Sequence, residues 1–384
     1  MNDRLFAVIT GGGTGGHVSP ALAVSEALVD RGHPQREIEF VAGRRGLEDR
    51  LVPEAGYVLH RLPGRGLQRR WTTENVPAVL GLLASVFASI GLALRTRPRV
   101  VVTVGGYAGF PYAAAALLLR IPLVVVTHDA IPGAANRLVG RFAAANAVAY
   151  PGTALPRSTV TGPPVRRAVL EVSRDDKTRA RVRAALALSP SAQLIVVTSG
   201  SLGARSVNSA AIELASIWAT RHDIAIYHVA GDRNLETVRA AAGAAGLLAL
   251  PESGLKYRLV GYDTDLISAL AACDIAVSRA GASTIAELTA IGVPSILIPL
   301  PGAPSDHQTR NAATLEKAGA ARMIADSDCT GEALAAAIAS YLEDGARLSA
   351  MSVAARSLGH PDAADRVAGL AEEFASRRPS RRSP

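Results

Sequence analysis

The sequence predicts an α/β fold of two domains built on mostly parallel sheets, and three observations carry that prediction. Short β-branched apolar runs alternate with Ala/Leu-rich stretches of helical length, the pattern that βαβ units require. The 384 residues are enough for two or three domains at roughly 150 residues each. A turn that ends a strand on glycine and opens a helix recurs, as Val8-Ile-Thr-Gly-Gly-Gly13, Val102-Thr-Val-Gly-Gly-Tyr107 and Val197-Thr-Ser-Gly-Ser201.

Taken in order, strands are predicted at 5–10, 38–42, 57–62, 100–104, 122–126 and 147–150 in the first half. In the second half they fall at 193–198, 224–229, 257–260, 274–278, 294–298 and 322–325. Each run is rich in Val, Ile or other strand formers, and helical stretches separate most of them. The Pro- and Gly-rich segment 151–166 reads as the linker region, helices follow at 330–376, and the Ser/Pro/Arg residues 377–384 read as a disordered basic tail.

Composition narrows the function. Hydrophobic residues make up 49% and charged ones 19%, so each domain can bury a full core. The net charge of +8 is local: residues 61–99 hold seven Arg against one Glu, and 376–384 hold four Arg and no acid. The remaining body is near neutral and aromatics are only 4%, which argues against a nucleic-acid partner. Two cysteines, Cys273 and Cys329, cannot build a disulfide framework or a four-thiolate metal site. The opening MNDRLFAVITGGG has too short an apolar run for a signal peptide, so an intracellular protein is expected.

Val76 to Leu94 carries no charge and lies between Arg61, Arg65, Arg69, Arg70 and Arg95, Arg97, Arg99. Its length approaches the ~20 residues of a spanning helix. It also lies between two strands of one sheet, which a βαβ crossover must bring together on one side of any bilayer. The expectation is a helix that packs partly on its sheet and offers its outer face to a membrane surface; a fully buried helix is the alternative.

The first glycine loop, Gly11, Gly13 and Gly16, fits the G-x-G-x-x-G of dinucleotide-binding folds. No acid ends the second strand to hold a ribose, so a nicotinamide reading would rest on Arg44 and Arg45 taking a 2′-phosphate. His17 directly after the loop, and the Thr14 hydroxyl within it, are not what a cofactor loop needs.

Five motifs in order point elsewhere. Gly11-Gly-Gly-Thr-Gly-Gly-His-Val-Ser-Pro20, Gly105-Gly-Tyr-Ala-Gly-Phe-Pro111, Gly200-Ser-Leu-Gly-Ala-Arg-Ser-Val-Asn208, Arg279-Ala-Gly-Ala-Ser-Thr-Ile-Ala-Glu287 and Asp306-His-Gln-Thr-Arg-Asn-Ala312 together resemble the MurG family. These are N-acetylglucosaminyltransferases of peptidoglycan synthesis, and the resemblance covers about residues 5–372. It implies a GT-B fold, two Rossmann-like domains with parallel sheets facing across a cleft. Residues 1–163 would form the acceptor and membrane side, completed by a C-terminal helix at about 353–376, and 164–352 the UDP-GlcNAc domain. The implied reaction is an inverting transfer from UDP-GlcNAc to lipid I, giving lipid II, at the cytoplasmic side of the cell membrane on a peripheral, anionic-surface-bound enzyme without cofactor or tightly bound metal. A UDP-sugar 2-epimerase or another GT-B glycolipid glycosyltransferase is the alternative.

The resemblance also implies residues. Thr14, Gly15, Gly16, Arg166, Ser201, Asp263, Gln308 and the run Ala282, Ser283, Thr284, Ile285, Ala286, Glu287 would bind donor, with Glu287 on the ribose hydroxyls and Ser283 or Thr284 as N-cap. Gly105, Gly106 and Tyr107 would meet the acceptor pyrophosphate. His17 is the candidate general base, because imidazole titrates near neutrality, with a helix-capping role as the alternative. Asp129 is the alternative base; it stands where the family has a sugar-contacting Asn, and it is counted among the donor residues for that reason. Polar substitution of Leu82, Leu83 and Phe87 is expected to abolish membrane binding.

Overall fold

The computed structural model describes residues 4–12, 15–43, 46–63, 75–189, 191–200, 203–251, 253–303 and 306–377. Thr14, Arg44, Arg45, Arg65, Arg69, Arg70, Ser201 and the tail 378–384 lie outside them. The chain divides into two compact units, one of residues 1–167 with 360–384 and one of residues 168–359.

The first unit runs β1 (Ala7–Gly11), α1 (Gly15–Asp30), β2 (Ile38–Ala42), α2 (Glu48–Glu54), β3 (Val58–Arg61), α3 (Asn75–Thr96), β4 (Val100–Gly105), α4 (Phe110–Leu118), β5 (Leu123–Thr127), α5 (Ala134–Gly140), β6 (Ala145–Val148) and β7 (Ser158–Val160). The second runs from α6 (Arg167–Glu171) through α7 (Asp176–Ala185), β8 (Gln193–Thr198), α8 (Arg205–Ile217), β9 (Ile224–Val229), α9 (Leu235–Ala244), β10 (Lys256–Val260) and α10 (Leu266–Ala272). It continues with β11 (Ile275–Ser278), α11 (Ala282–Ile291), β12 (Ser295–Leu297), α12 (His307–Lys317), β13 (Ala321–Met323), α13 (Gly331–Leu342) and α14 (Gly345–Ser357), before α15 (Ala363–Ser376).

The sheets are ordered β3-β2-β1-β4-β5-β6-β7 and β10-β9-β8-β11-β12-β13, and every recorded pairing is parallel. Central strands β4, β5 and β6 are buried throughout, as helices on both faces of a parallel sheet require. Each sheet changes direction once, between β1 and β4 and between β8 and β11. Those switch points open a crevice at the carboxyl ends of the strands, where α/β sheets take ligands. The glycine loops after β1 and β4 share the first switch point; those after β8 and β11 share the second.

Two expectations need correction. The segment 151–166 is not a plain linker, because Ser158–Val160 pairs with β6 as the seventh strand. A three-residue edge strand set among prolines and glycines carries too little periodicity to be seen in sequence. The helix expected at about 353–376 is two helices. Residues up to 357 belong to α14, which packs on α11 in the second unit, while α15 packs on α1 in the first. Gly359, His360 and Pro361 separate them. α15 buries Ala364, Val367, Ala368, Ala371 and Ala375 in the core of the first unit. Its rim is tied down by Arg31, which reaches Glu372 and Asp365 at 2.7 Å each, and by His33, 2.9 Å from Glu372.

The charge-free segment forms α3 and packs on α4. Its residues are arranged inside out. Ser85, Ser89 and Ala93 form the buried stripe, with the serine hydroxyls donating to carbonyls of their own helix, Ser85 to Gly81 at 2.8 Å and Ser89 to Ser85 at 2.7 Å. At ~100° per residue the opposite face carries Leu83, Phe87 and Leu94, exposed by 51%, 72% and 56%. Leu82, grouped with Leu83 and Phe87 from sequence, sits on the half-buried side. No helix among the described residues is long and apolar enough to cross a membrane.

Candidate active site

In the first unit the polypeptide approaches itself closely where β1 and β4 end. Gly105 has φ +91°, and a Cβ there would lie 2.8 Å from Asn136 Oδ1, so only glycine fits without displacing Asn136. Asn136 is itself anchored, donating from Nδ2 to the carbonyl of Val126 and to Thr127 Oγ1, both at 3.0 Å. Its Oδ1 is buried and has no hydrogen-bond partner. At the neighbouring Gly106, a methyl group would lie 2.7 Å from the Gly12 carbonyl oxygen and 3.6 Å from His17 Nε2. The first and second glycine loops therefore meet, with the His17 ring against the second.

His17 is the third residue of α1 and half-buried. Its ring stands edge-on to His128, with centroids 5.1 Å apart and an interplanar angle of 77°. His128 follows β5 directly and is buried; its Nε2 is 3.9 Å from an oxygen of Asp129. Burial, with the negative charge of Asp129 adding to it, pushes the Tyr150 hydroxyl up to about 12. Tyr150 therefore keeps its proton at neutral pH. The structure thus places both candidate bases, His17 and Asp129, on the first switch point, and adds His128 between them. Nothing in the spacing of the sequence separates His128 from a core histidine. Tyr107, 47% exposed, follows Gly106 at the same loop, and Gly15 and Gly16 open α1.

In the second unit α11 starts at Ala282, with Gly281 as N-cap and no side-chain cap. Ser283 and Thr284 therefore lie inside the first turn and neither is the cap, because Gly281 already has the extended backbone that an N-cap adopts. A Cβ on Gly281 or on Gly200 would meet none of the described residues within 4 Å. The first-turn amides and the helix dipole suit an anion. Ala282, Ile285 and Ala286 turn into the core, while Ser283, Thr284 and Glu287 stay partly exposed.

A buried arginine that the motif reading left without a role organises these loops. Arg279 donates from Nη1 to the carbonyls of Ile298 (3.2 Å) and Pro299 (3.1 Å) and to Asp326 (2.5 Å), and from Nη2 to Ser206 Oγ (3.0 Å). Ser206 in turn donates to Asp326 at 2.6 Å. Burial opposes ionisation of Asp326, but the Ser206 and Arg279 hydrogen bonds prevail and hold its carboxyl below the usual range. One guanidinium thus joins the ends of β11 and β12 to the start of α8. Its position as first residue of Arg279–Glu287 was the available signal.

Three expected donor residues have other partners. Gln308 accepts the Leu300 amide at 2.9 Å through Oε1 and so braces the loop after β12. Asp263 accepts from the Tyr227 hydroxyl and from the Asp265 amide, both at 2.8 Å, closing the turn after β10. Arg166 lies in the first unit and donates to Glu26 from Nε (3.0 Å) and Nη2 (2.9 Å).

Two switch-point sites, one lined by glycine loops and titratable rings and one by a helix start with a carboxylate, define a nucleotide-sugar glycosyltransferase of two Rossmann-like domains. The family models agree: the glycosyltransferase family 28 N-terminal domain matches residues 7–148 and its C-terminal domain residues 194–367. A UDP-N-acetylglucosamine–N-acetylmuramyl-(pentapeptide) pyrophosphoryl-undecaprenol N-acetylglucosamine transferase of Desulforudis audaxviator is 36% identical over 96% of this chain and 98% of its own. The crystal structure of Acinetobacter baumannii MurG covers 96% of this chain and 100% of its own at a TM-score of 0.72 and 26% identity. The chain belongs to the MurG family within glycosyltransferase family 28. A UDP-N-acetylglucosamine 2-epimerase superposes over 99% of both chains at a TM-score of 0.63, but at 14% identity it shares the fold alone.

Proposed function

We propose that this enzyme transfers N-acetylglucosamine from UDP-GlcNAc to the 4-hydroxyl of the muramyl sugar of lipid I, releasing UDP and forming lipid II. The observation that carries this is the 36% identity to a transferase named for that reaction, spanning nearly the full length of both chains. The acceptor oxygen attacks the anomeric carbon, the bond from that carbon to the diphosphate breaks, and UDP leaves with the electron pair. The acceptor proton passes to His17, with Asp129 as the alternative base. Amides at the start of α11 stabilise the charge on the departing diphosphate, and Glu287 holds the ribose. The test is purified enzyme with labelled UDP-GlcNAc and a lipid I analogue. Label should appear in the lipid; conversion of the donor to its 2-epimer without transfer would establish the epimerase alternative.

The same proposal places the first unit on the cytoplasmic membrane surface. Leu83, Phe87 and Leu94 of α3 supply the apolar face, and Leu118 of α4 with Leu138 and Phe142 at α5 extend the exposed apolar area over the next helices. Arg95, Arg120, Arg137 and Arg141, all exposed, supply positive charge nearby. Apolar area plus basic charge is the pair of signals that gives reversible anchoring. The protein should bind anionic vesicles, release in high salt as the Debye length shrinks from about 8 Å, and ignore neutral ones. Replacing Leu83, Phe87 and Leu94 together with Gln should abolish vesicle binding and leave the melting temperature unchanged, since none contributes to the core. Equal binding to neutral vesicles would show that the arginines are not the anchor.

A further inference from the structure

β9 is buried along its whole length, yet it carries a histidine near its end. His228 is 0% exposed, and both of its ring nitrogens are engaged. Nδ1 lies 2.8 Å from the Tyr257 hydroxyl on β10, and Nε2 lies 3.0 Å from Asn208 Oδ1 on α8. The direction of each proton follows from the far end of the chain. Asn208 donates from Nδ2 to the carbonyl of Ala230 at 3.0 Å, which fixes the amide orientation and leaves Oδ1 as acceptor only. Nε2 of His228 must then carry the hydrogen, Nδ1 must accept, and Tyr257 must donate. Burial pushes the imidazolium form down to about 4, so the ring is neutral at pH 7.

The relay ends at the third glycine loop. Gly203, φ +68°, packs so tightly on the Ala230 carbonyl that a Cβ would come within 2.2 Å of that oxygen and of Asn234 Nδ2. Ala230 in turn sits at the end of β9, two residues beyond His228. The carbonyl that Asn208 holds is therefore the surface against which Gly203 is seated, at the entrance to α8. Removing His228 takes the partner from Asn208 Oδ1 and from the Tyr257 hydroxyl, so the Asn208 amide keeps its hold on the Ala230 carbonyl without support from the other side.

We propose that His228, through Tyr257 on one side and Asn208 on the other, is a positioning residue for donor binding that holds Gly203 and the start of α8 in register. It touches neither substrate. The inference rests on the donor assignment of the second unit, and its test separates the two. In the lipid I assay, His228→Ala should raise the KM for UDP-GlcNAc about tenfold while the KM for the lipid I analogue stays within twofold. His228→Gln, whose side-chain amide can donate to Asn208, should recover most of the loss. Tyr257→Phe keeps the packing and removes only the first donor, so a smaller rise in the same constant is expected, and it serves if the alanine variant fails to fold. A merely structural role would lower the amount of active enzyme without moving one KM against the other. In nitrogen-resolved NMR the wild-type His228 should show a single tautomer with hydrogen on Nε2, unchanged from pH 5.5 to 8.

Unchanged donor KM in folded His228→Ala and Tyr257→Phe, or the opposite tautomer, overturns the relay alone. A wild-type enzyme that binds no uridine nucleotide overturns the donor assignment and the relay with it.

Discussion

His17→Ala should lower kcat at least tenfold, toward the ~10²–10⁴-fold that a positioned general base contributes. The KM for UDP-GlcNAc should stay near the wild-type value, because His17 stands on the first switch point and the proposed donor residues Ser283, Thr284 and Glu287 stand on the second. The expected mechanism is loss of the group that takes the acceptor proton as its oxygen attacks. His17 suits that part because its ring is half-buried, edge-on to His128, and lies against the second glycine loop. Asp129→Asn is the companion variant. If His17→Ala retains activity while Asp129→Asn loses it, the base is the carboxylate, and the imidazole only packs between the loops. Stopped-flow or steady-state rates at saturating donor decide between them.

Glu287→Ala should raise the KM for UDP-GlcNAc tenfold or more with an intact fold. The carboxylate lies on the half-buried side of α11, one turn behind the helix start, whereas Ile285 and Ala286 beside it are buried. Removing a charged acceptor from two ribose hydroxyls costs about 1–3 kcal/mol, and about 1.4 kcal/mol is already tenfold. Thermal melting should be unaffected, since Glu287 is not part of the core, and isothermal titration with UDP should show the same loss as the kinetics. A donor KM equal to wild type would remove Glu287 from the site.

Much of this molecule was determined by local sequence. Twelve of the thirteen strands among the described residues fall within a few residues of the runs that predict them, and the central ones, buried on both faces, are the continuous β-branched stretches that a parallel sheet demands. The glycine loops were legible for a related reason: a backbone that must approach a neighbour, as Gly105 approaches Asn136, tolerates no side chain. The family followed from three such loops and two further motifs in order.

Other features only the tertiary structure could decide, since they depend on which distant residues meet. The edge strand Ser158–Val160 exists because β6 is there to pair with it. The cap of α11 is Gly281 and not the better capping residues that follow, since the extended backbone after β11 ends two residues before Ser283. The motifs place Gln308, Asp263 and Arg166 by resemblance, and only the fold shows that their side chains brace a loop, a turn and Glu26. The buried Arg279 and His228 draw their partners from elements up to 73 and 29 residues away. A buried charge or ring needs partners for most of its polar atoms, and no window of sequence contains those partners.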